Sequence, residues 1–247
     1  MASVSLEARK RVSVGGSFPG SQVYGPRGPS VYSACNSLIV RPLWDDRGVL
    51  RAVILAAGAS TRMGRPKAAL PIRDRADTFL SRLIRSFLAA GLPDIVVVSG
   101  AAPDEVRAAA APFSRRVRFA HNVDWRRGQL SSLLVGLNQA PVESLEAILT
   151  ALVDVPLVSP DTVRAVVHAW RRSRAAIVRP ARGEEHGHPV IFDRAVFDEL
   201  RITDSAVGAK AVVRAHAHEI LNVPIEDPGA YFDVDTPEDY DRLRRGI

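Results

Sequence analysis

Two cations stand at fixed offsets from a glycine turn in the segment Leu55-Ala56-Ala57-Gly58-Ala59-Ser60-Thr61-Arg62-Met63-Gly64-Arg65-Pro66-Lys67. Small residues let a backbone approach a ligand closely and offer its N–H groups to phosphate oxygens. Arg62 can grip a phosphate through two nitrogens at once, and Lys67 acts on it as a point charge. The pattern is neither Gly-x-x-x-x-Gly-Lys-Ser/Thr nor Gly-x-Gly-x-x-Gly, so neither a Walker loop nor a dinucleotide fingerprint is written here. The competing reading is an ordinary strand-to-helix turn with surface Arg and Lys.

Further chemistry-bearing residues follow. Asp154 closes the apolar run Ala147 to Val153 and precedes Val155-Pro156. A carboxylate in that position suits a hard cation such as Mg²⁺, which takes one or two protein carboxylates beside phosphates and water. Ser131 and Ser132 come just after Gly128, at a predicted helix start. Their hydroxyls and the free N–H groups there could hold a base, ribose or phosphate, or could simply cap the helix. His186 and His188 lack the cysteine or third histidine a zinc site needs, and His188 reads as an acceptor contact or a hydrogen-bonded loop residue. Asp233 and Asp235 would share one face if their segment is extended. His216 and His218 read as surface residues. No Ser-His-Asp or Cys-His arrangement is discernible.

The elements that must position these residues are written in the hydrophobic pattern. Short β-rich runs alternate with helical spacing: strands over Leu50 to Leu55, Ile95 to Val98, Val117 to Ala120, Ala147 to Val153 and Ala175 to Val178, and helices over Thr78 to Ala90, Ser131 to Gln139 and Asp161 to Arg172. A last helix is expected after Thr236, its cap, with Pro237 at its first position. Such alternation predicts a Rossmann-like three-layer α/β/α domain with a mainly parallel sheet, whose ligands bind beyond the C-terminal strand ends. Both Gly58 to Lys67 and Asp154 fall at such ends.

The 247 residues, 47% hydrophobic and 24% charged, suffice for a substantial core. The net charge of +6 suggests nucleic acid only if the basic residues cluster. They do not, and half of the excess sits in the first fifty residues. Residues 1–48, punctuated by Gly and Pro without sustained periodicity, are expected to be a disordered extension, with the domain running from 49 to 247. The lone Cys35 fits a reducing compartment, and no apolar run is long enough for a signal peptide or membrane span, so a cytoplasmic protein without nucleic-acid or membrane partners is expected.

The loop Leu55 to Lys67 resembles the opening motif of the nucleotidyltransferases related to the MobA and MocA enzymes of molybdenum-cofactor maturation. Gly128-Gln129-Leu130-Ser131-Ser132-Leu133, Asp154-Val155-Pro156-Leu157-Val158, Gly187-His188-Pro189-Val190-Ile191-Phe192 and Asp233-Val234-Asp235-Thr236-Pro237-Glu238-Asp239-Tyr240 follow in the family's order, so the resemblance spans residues 50–243. It implies a fold of the nucleotide-diphospho-sugar transferase type. It implies also that backbone at Leu55, Ala56, Ala57, Gly58 and Ser60, with Ser131 and Ser132, meets the nucleotide, and that Arg62 and Lys67 meet its phosphates. Asp154 and Asp235 would hold Mg²⁺, while His188 would face the acceptor.

The implied reaction moves a nucleoside monophosphate from a triphosphate to a small phosphate- or hydroxyl-bearing acceptor, and Leu-Ala-Ala-Gly favours CTP over GTP. By the same resemblance the implied acceptor is the molybdopterin cofactor. This chain departs from the family pattern at Asp204 to Lys210, where Gly-Asp-x-Gly-Ala-Arg is common, and at Pro71 to Asp77, which lacks the glycine usual before the first helix. Guanylyl or uridylyl transfer, an NAD(P)H-dependent oxidoreductase on the same scaffold, and a regulator without catalysis are the rival readings.

Overall fold

The computed structural model describes residues 49–73, 77–140 and 143–246. The expected N-terminal extension lies outside the described residues. Strand β1, Val49–Ala56, is buried on both faces, as a central parallel strand must be. Alternation splits its side chains. Leu50, Ala52, Ile54 and Ala56 join one core, and Val53 and Leu55 the other.

Helix α1, Phe79–Ala89, follows and returns the chain to β2, Ile95–Ser99. Thr78 and Ser81 form a reciprocal capping box at its start, which satisfies two otherwise orphaned N–H groups. Leu80, Leu83, Ile84 and Phe87 recur at helical spacing and are fully buried, each contributing about 1.5–3 kcal/mol. Helix α2, Pro103–Ala109, leads to β3, Arg118–His121, and helix α3, Gln129–Leu137, to β4, Leu145–Leu152. Helix α4, Pro160–Ser173, precedes β5, Ile177–Arg182, the two-residue β6, Glu185–His186, and β7, Val190–Asp193. Helices α5, Phe197–Ile202, and α6, Lys210–Ala215, then β8, Ile220–Pro224, and α7, Pro237–Arg245, complete the chain.

The strand order is β3-β2-β1-β4-β7-β5-β6, with β8 also paired to β5. β1 lies parallel to β2 and β4, and β2 to β3, whereas β7 opposes both β4 and β5. The sheet is therefore mainly parallel, as predicted. Residues from α1, α2, α4 and α7 cover one face, and α3, α5 and α6 the other. The chain runs outward from β1 through β2 to β3 and returns to β4 on β1's other side. This reversal opens a crevice above the C-terminal ends of β1 and β4.

At the opposite end of the sheet Arg51 is wholly buried, its guanidinium donating to Asp94 Oδ2 at 3.1 Å and to the Leu137 carbonyl at 3.0 Å. It satisfies carbonyls left open where α3 ends. Helix α3 lies close on the sheet because it carries Gly136 there; a Cβ would come within 2.4 Å of Val53 Cγ1. Gly136→Val is expected to lower stability by about 1–3 kcal/mol through overpacking, measurable by denaturant unfolding. An unchanged midpoint would mean that the helix can shift at little cost.

Candidate active site

Beyond β1 the chain turns at Ser60, which takes a left-handed conformation with φ 51°, and again at Gly64, φ 64°. Ser60 Oγ accepts the Lys67 backbone N–H at 3.0 Å, and the Ser60 carbonyl accepts from Met63 at 3.0 Å. The loop is thus curled on itself rather than extended. Pro66 then directs Lys67 into a short 3₁₀ turn, Lys67–Ala69, whose Ala68 is buried, so the Lys67 stem enters the protein.

Its ammonium meets two carboxylates, with Nζ donating to Asp235 Oδ1 at 2.6 Å and to Asp154 Oδ2 at 3.1 Å. Asp154 follows β4 by two residues rather than ending it. The Val153 N–H bonds the Leu55 carbonyl and extends the β1–β4 pairing, which places Asp154 above the crevice. Asp235 arrives from the far end of the chain, held in two ways. The Val234 N–H donates to the Asp154 carbonyl at 2.8 Å, and Asp239, the partner of Thr236 in the capping box of α7, accepts the Asp235 N–H. The segment 232–235 is irregular rather than a strand, and Asp233 lies near Asp154 and Asp235 instead of sharing a pleat with Asp235. Partial burial, and then the charges of Asp154 and Asp235, push the Asp233 carboxyl above its usual range.

A cavity of about 750 Å³ opens over this group. Its walls include Leu55 to Met63, Lys67, Ser132, Asp154 and Asp235, so most of the residues singled out in the sequence converge. Arg62 stands at its mouth, two-thirds exposed, with Nη2 3.9 Å from Asp235 Oδ1. Ser131 and Ser132 differ. Both hydroxyls accept from the Asn122 amide, at 2.8 and 2.9 Å, but Ser132 lines this cavity while Ser131 donates to the Gly128 carbonyl and faces a second depression. Neither serine caps α3; Gly128 occupies that position with φ 106°, where a side chain would strike the Ser205 carbonyl.

His188 lies outside the residues that line the cavity. Its backbone N–H donates to the Ala230 carbonyl at 2.8 Å, and its Nδ1 is buried without a partner. Burial holds its pKa below the ordinary value against the opposing pull of Asp154, so the ring is neutral at pH 7. The loop that holds it is braced by Asp227, which accepts from the Ser159 N–H, the Thr162 hydroxyl and the Gly229 N–H. Burial opposes ionisation of Asp227, but these donors, led by the Thr162 hydroxyl, outweigh it and depress its pKa. A depressed carboxylate stabilises the fold above its unfolded pKa, near 3.9, and that contribution is lost as pH falls through the folded value. Asp227→Asn should therefore cost about 1–2 kcal/mol at pH 7 and progressively less below about pH 4, as read from urea midpoints across pH. A pH-independent cost would sink this account.

Trp125, Arg126 and Gln129 also line the cavity and were missed in the sequence. Arg126 lies 4.4 Å over the Trp125 ring. Gly100 makes room for this wall, since a Cβ there would come within 2.6 Å of the Ala57 carbonyl and 2.7 Å of Trp125 Cβ. The signal was Trp125 three residues before Gly128, but only the fold brings it across to Ala57. His216, expected at the surface, is half-buried between Glu199 and Glu219, at 2.9 and 3.3 Å. The hydrogen bond to Glu199 leads in raising its pKa.

Among the described residues no group of three or more His, Cys, Asp or Glu is placed to hold a metal ion. Asp154 and Asp235 nonetheless fit a cation that brings its remaining ligands with it. They converge on one point, and Asp154 Oδ1 is buried without a partner. Among the described residues no helix is long and apolar enough to cross a membrane.

Comparison with known proteins bears on the family of the chain. Residues 52–220 match the model of the MobA-like NTP transferase domain. The chain is 33% identical to the nicotine blue oxidoreductase of Paenarthrobacter nicotinovorans over 80% of this chain and 98% of that protein. It is 30% identical to the purine catabolism protein PucB of Bacillus subtilis, over 80% and 97%, and 25% identical to the molybdenum cofactor cytidylyltransferase of Escherichia coli, over 76% and 92%. Among solved structures, Rv0371c of Mycobacterium tuberculosis superposes with a TM-score of 0.69 at 32% identity, over 81% of this chain and 98% of that one. Its complex with manganese superposes with a TM-score of 0.64 at 29% identity, over 81% and 99%. With the family model covering more than half of its residues, the chain belongs to the MobA-like NTP transferase family.

Proposed function

We propose that this protein transfers a nucleoside monophosphate, CMP by preference, from its triphosphate to a small phosphate- or hydroxyl-bearing acceptor, with Mg²⁺ as the metal. The observation that carries the reading is the convergence of Lys67, Asp154 and Asp235, from three distant parts of the chain, on one wall of a cavity whose other wall is the glycine loop. In such a transfer the acceptor oxygen attacks the α-phosphorus. The bond to the bridging oxygen of the β-phosphate breaks, and pyrophosphate leaves with the electron pair. Bound beside Asp154 and Asp235, a divalent cation would neutralise charge on the phosphate oxygens.

The protein's own residues supply position and charge. The exposed backbone of Gly58 and Ala59 and the guanidinium of Arg62 border the space for the phosphates. Trp125, Ala57 and Ser132 bound the part of the cavity suited to base and ribose. A phosphate acceptor needs no general base, since its nucleophilic oxygen is already ionised. His188 lies close enough to Asp154 to feel its charge yet does not line the cavity, and we assign it to the acceptor side by the family resemblance. The molybdopterin cofactor is the acceptor suggested by the cytidylyltransferase relative.

The oxidoreductase relative supports a second reading, in which a reduced nicotinamide nucleotide occupies the same cavity. The carboxylate pair favours transfer, because hydride transfer gives two converging carboxylates no role, whereas metal-assisted nucleotidyl transfer does. Thermal shifts with CTP, GTP, ATP and NADPH, each with and without Mg²⁺, separate the two. Metal-dependent stabilisation by CTP is expected. Stabilisation by NADPH alone, with none by any triphosphate, would overturn the transferase reading.

A further inference from the structure

We propose that Lys67 is an internal counter-cation that closes the metal site of the nucleotide-free protein, so that a divalent cation is admitted only together with a polyphosphate that takes Lys67 in exchange. The proposal rests on the reading of Asp154 and Asp235 as the metal-holding pair. Nζ sits 2.6 Å from Asp235 Oδ1 and 3.1 Å from Asp154 Oδ2, and the Lys67 side chain is only 10% exposed. A metal ion drawing on either of these two oxygens needs the place that the ammonium holds, and one that uses Asp154 Oδ1 would sit close enough to Nζ for the two positive charges to repel each other.

The surroundings say which part must move. The Lys67 backbone is fixed by its N–H bond to Ser60 Oγ and by the 3₁₀ turn that begins at this residue. What can move is the four-carbon stem, and the open side of the site is the cavity bordered by Gly58 to Met63. A bare cation would have to push the ammonium out with no anion to receive it, leaving a positive charge without its partners. A triphosphate brings that anion. Two carboxylates, Asp154 and Asp235, meet at Nζ, and removing Lys67 without replacement would leave their charges facing one another. Asp154 Oδ1, buried and unpartnered, is the ligand atom that Lys67 does not satisfy. The exchange thus couples the affinities for metal and for polyphosphate, and each must raise the other by the same factor.

The test is Mn²⁺ binding to the nucleotide-free, full-length protein, with and without inorganic triphosphate, followed by electron paramagnetic resonance, for the parent, Asp154→Asn, Lys67→Met and Lys67→Met/Asp154→Asn. Methionine keeps the stem and removes the charge. The expected result is weak binding by the parent, binding by Lys67→Met tighter by about tenfold or more, and loss of that gain in the double variant. A parent that binds Mn²⁺ as tightly as Lys67→Met, with Asp154→Asn weakening both, overturns the gating role while leaving the metal pair intact. If Asp154→Asn alters Mn²⁺ binding in no background, with or without inorganic triphosphate, the metal-pair reading falls as well. Should Lys67→Met fail to fold, the parent's ¹⁵N-lysine ammonium resonance serves instead. It should respond to Mg²⁺ with inorganic triphosphate and not to Mg²⁺ alone; an equal response to Mg²⁺ alone overturns the proposal.

Discussion

Asp154→Asn is expected to yield a folded protein that still binds nucleotide but transfers at least about a thousandfold more slowly, since a bound cation contributes several kcal/mol to stabilising the transferred phosphoryl charge. The fold should survive because the side chain contributes little to it. The architectural contact at this position is the backbone carbonyl, which accepts from Val234, and it is unchanged in the variant. Oδ2 faces Lys67 and Oδ1 has no partner, so an amide of the same shape loses one charge-assisted hydrogen bond and little packing. Nucleotide should still enter, because the loop Gly58 to Arg62 and the wall at Trp125 are untouched. The loss should therefore appear in turnover and in the metal dependence of binding, with a melting temperature close to the parent's. Steady-state pyrophosphate release, with nucleotide titrations with and without Mg²⁺, reads all three. A variant with parental turnover would show that Asp154 is not a metal ligand.

How far the sequence foretold this site depends on how locally each part is determined. Strand β1 and helix α1 were legible because Val53, Ile54, Leu80, Leu83 and Phe87 follow strand and helix periods through to burial. The glycine loop was legible as a loop, and its curl was not. That curl depends on Ser60 adopting positive φ, which is uncommon for a non-glycine residue and is accompanied here by the bond from the Lys67 N–H to Ser60 Oγ. Strands β7 and β8 escaped as elements. Val190–Asp193 is four residues long, and Ile220–Pro224 is an edge strand with little burial, so neither presents enough periodicity to register. The two serines after Gly128 illustrate a different limit. Their spacing fits either capping or ligand binding, but Asn122, nine and ten residues earlier, takes both hydroxyls, and only the packed fold reveals it. The meeting of Lys67 with Asp235 spans 168 residues and is a property of topology alone.

Arg62 tests the phosphate loop apart from the metal pair. Its guanidinium is two-thirds exposed at the mouth of the cavity, 3.9 Å from Asp235 Oδ1, which is beyond hydrogen-bonding range. Truncation should therefore leave stability within about 0.5 kcal/mol of the parent, as at other exposed positions. Its effect should fall on catalysis. Negative charge grows on the departing pyrophosphate only as the bond to the α-phosphorus breaks, and a planar donor fork placed there favours the transition state over the bound substrate. Arg62→Ala is expected to lower kcat by about 100-fold, as loss of one preorganised charge stabiliser commonly does, with a smaller change in nucleotide affinity. Arg62→Lys should recover only part of the loss, because a point charge cannot reproduce two-nitrogen recognition. Lys67→Ala should differ from both, weakening binding and turnover together, since its ammonium is to serve the carboxylates before nucleotide arrives and the phosphates afterwards. Pyrophosphate release measured beside direct titration for each variant separates these patterns. If Arg62→Ala binds and turns over nucleotide like the parent, the segment from Gly58 to Lys67 is an ordinary strand-to-helix turn, and the assignment of this cavity to a triphosphate loses its main support.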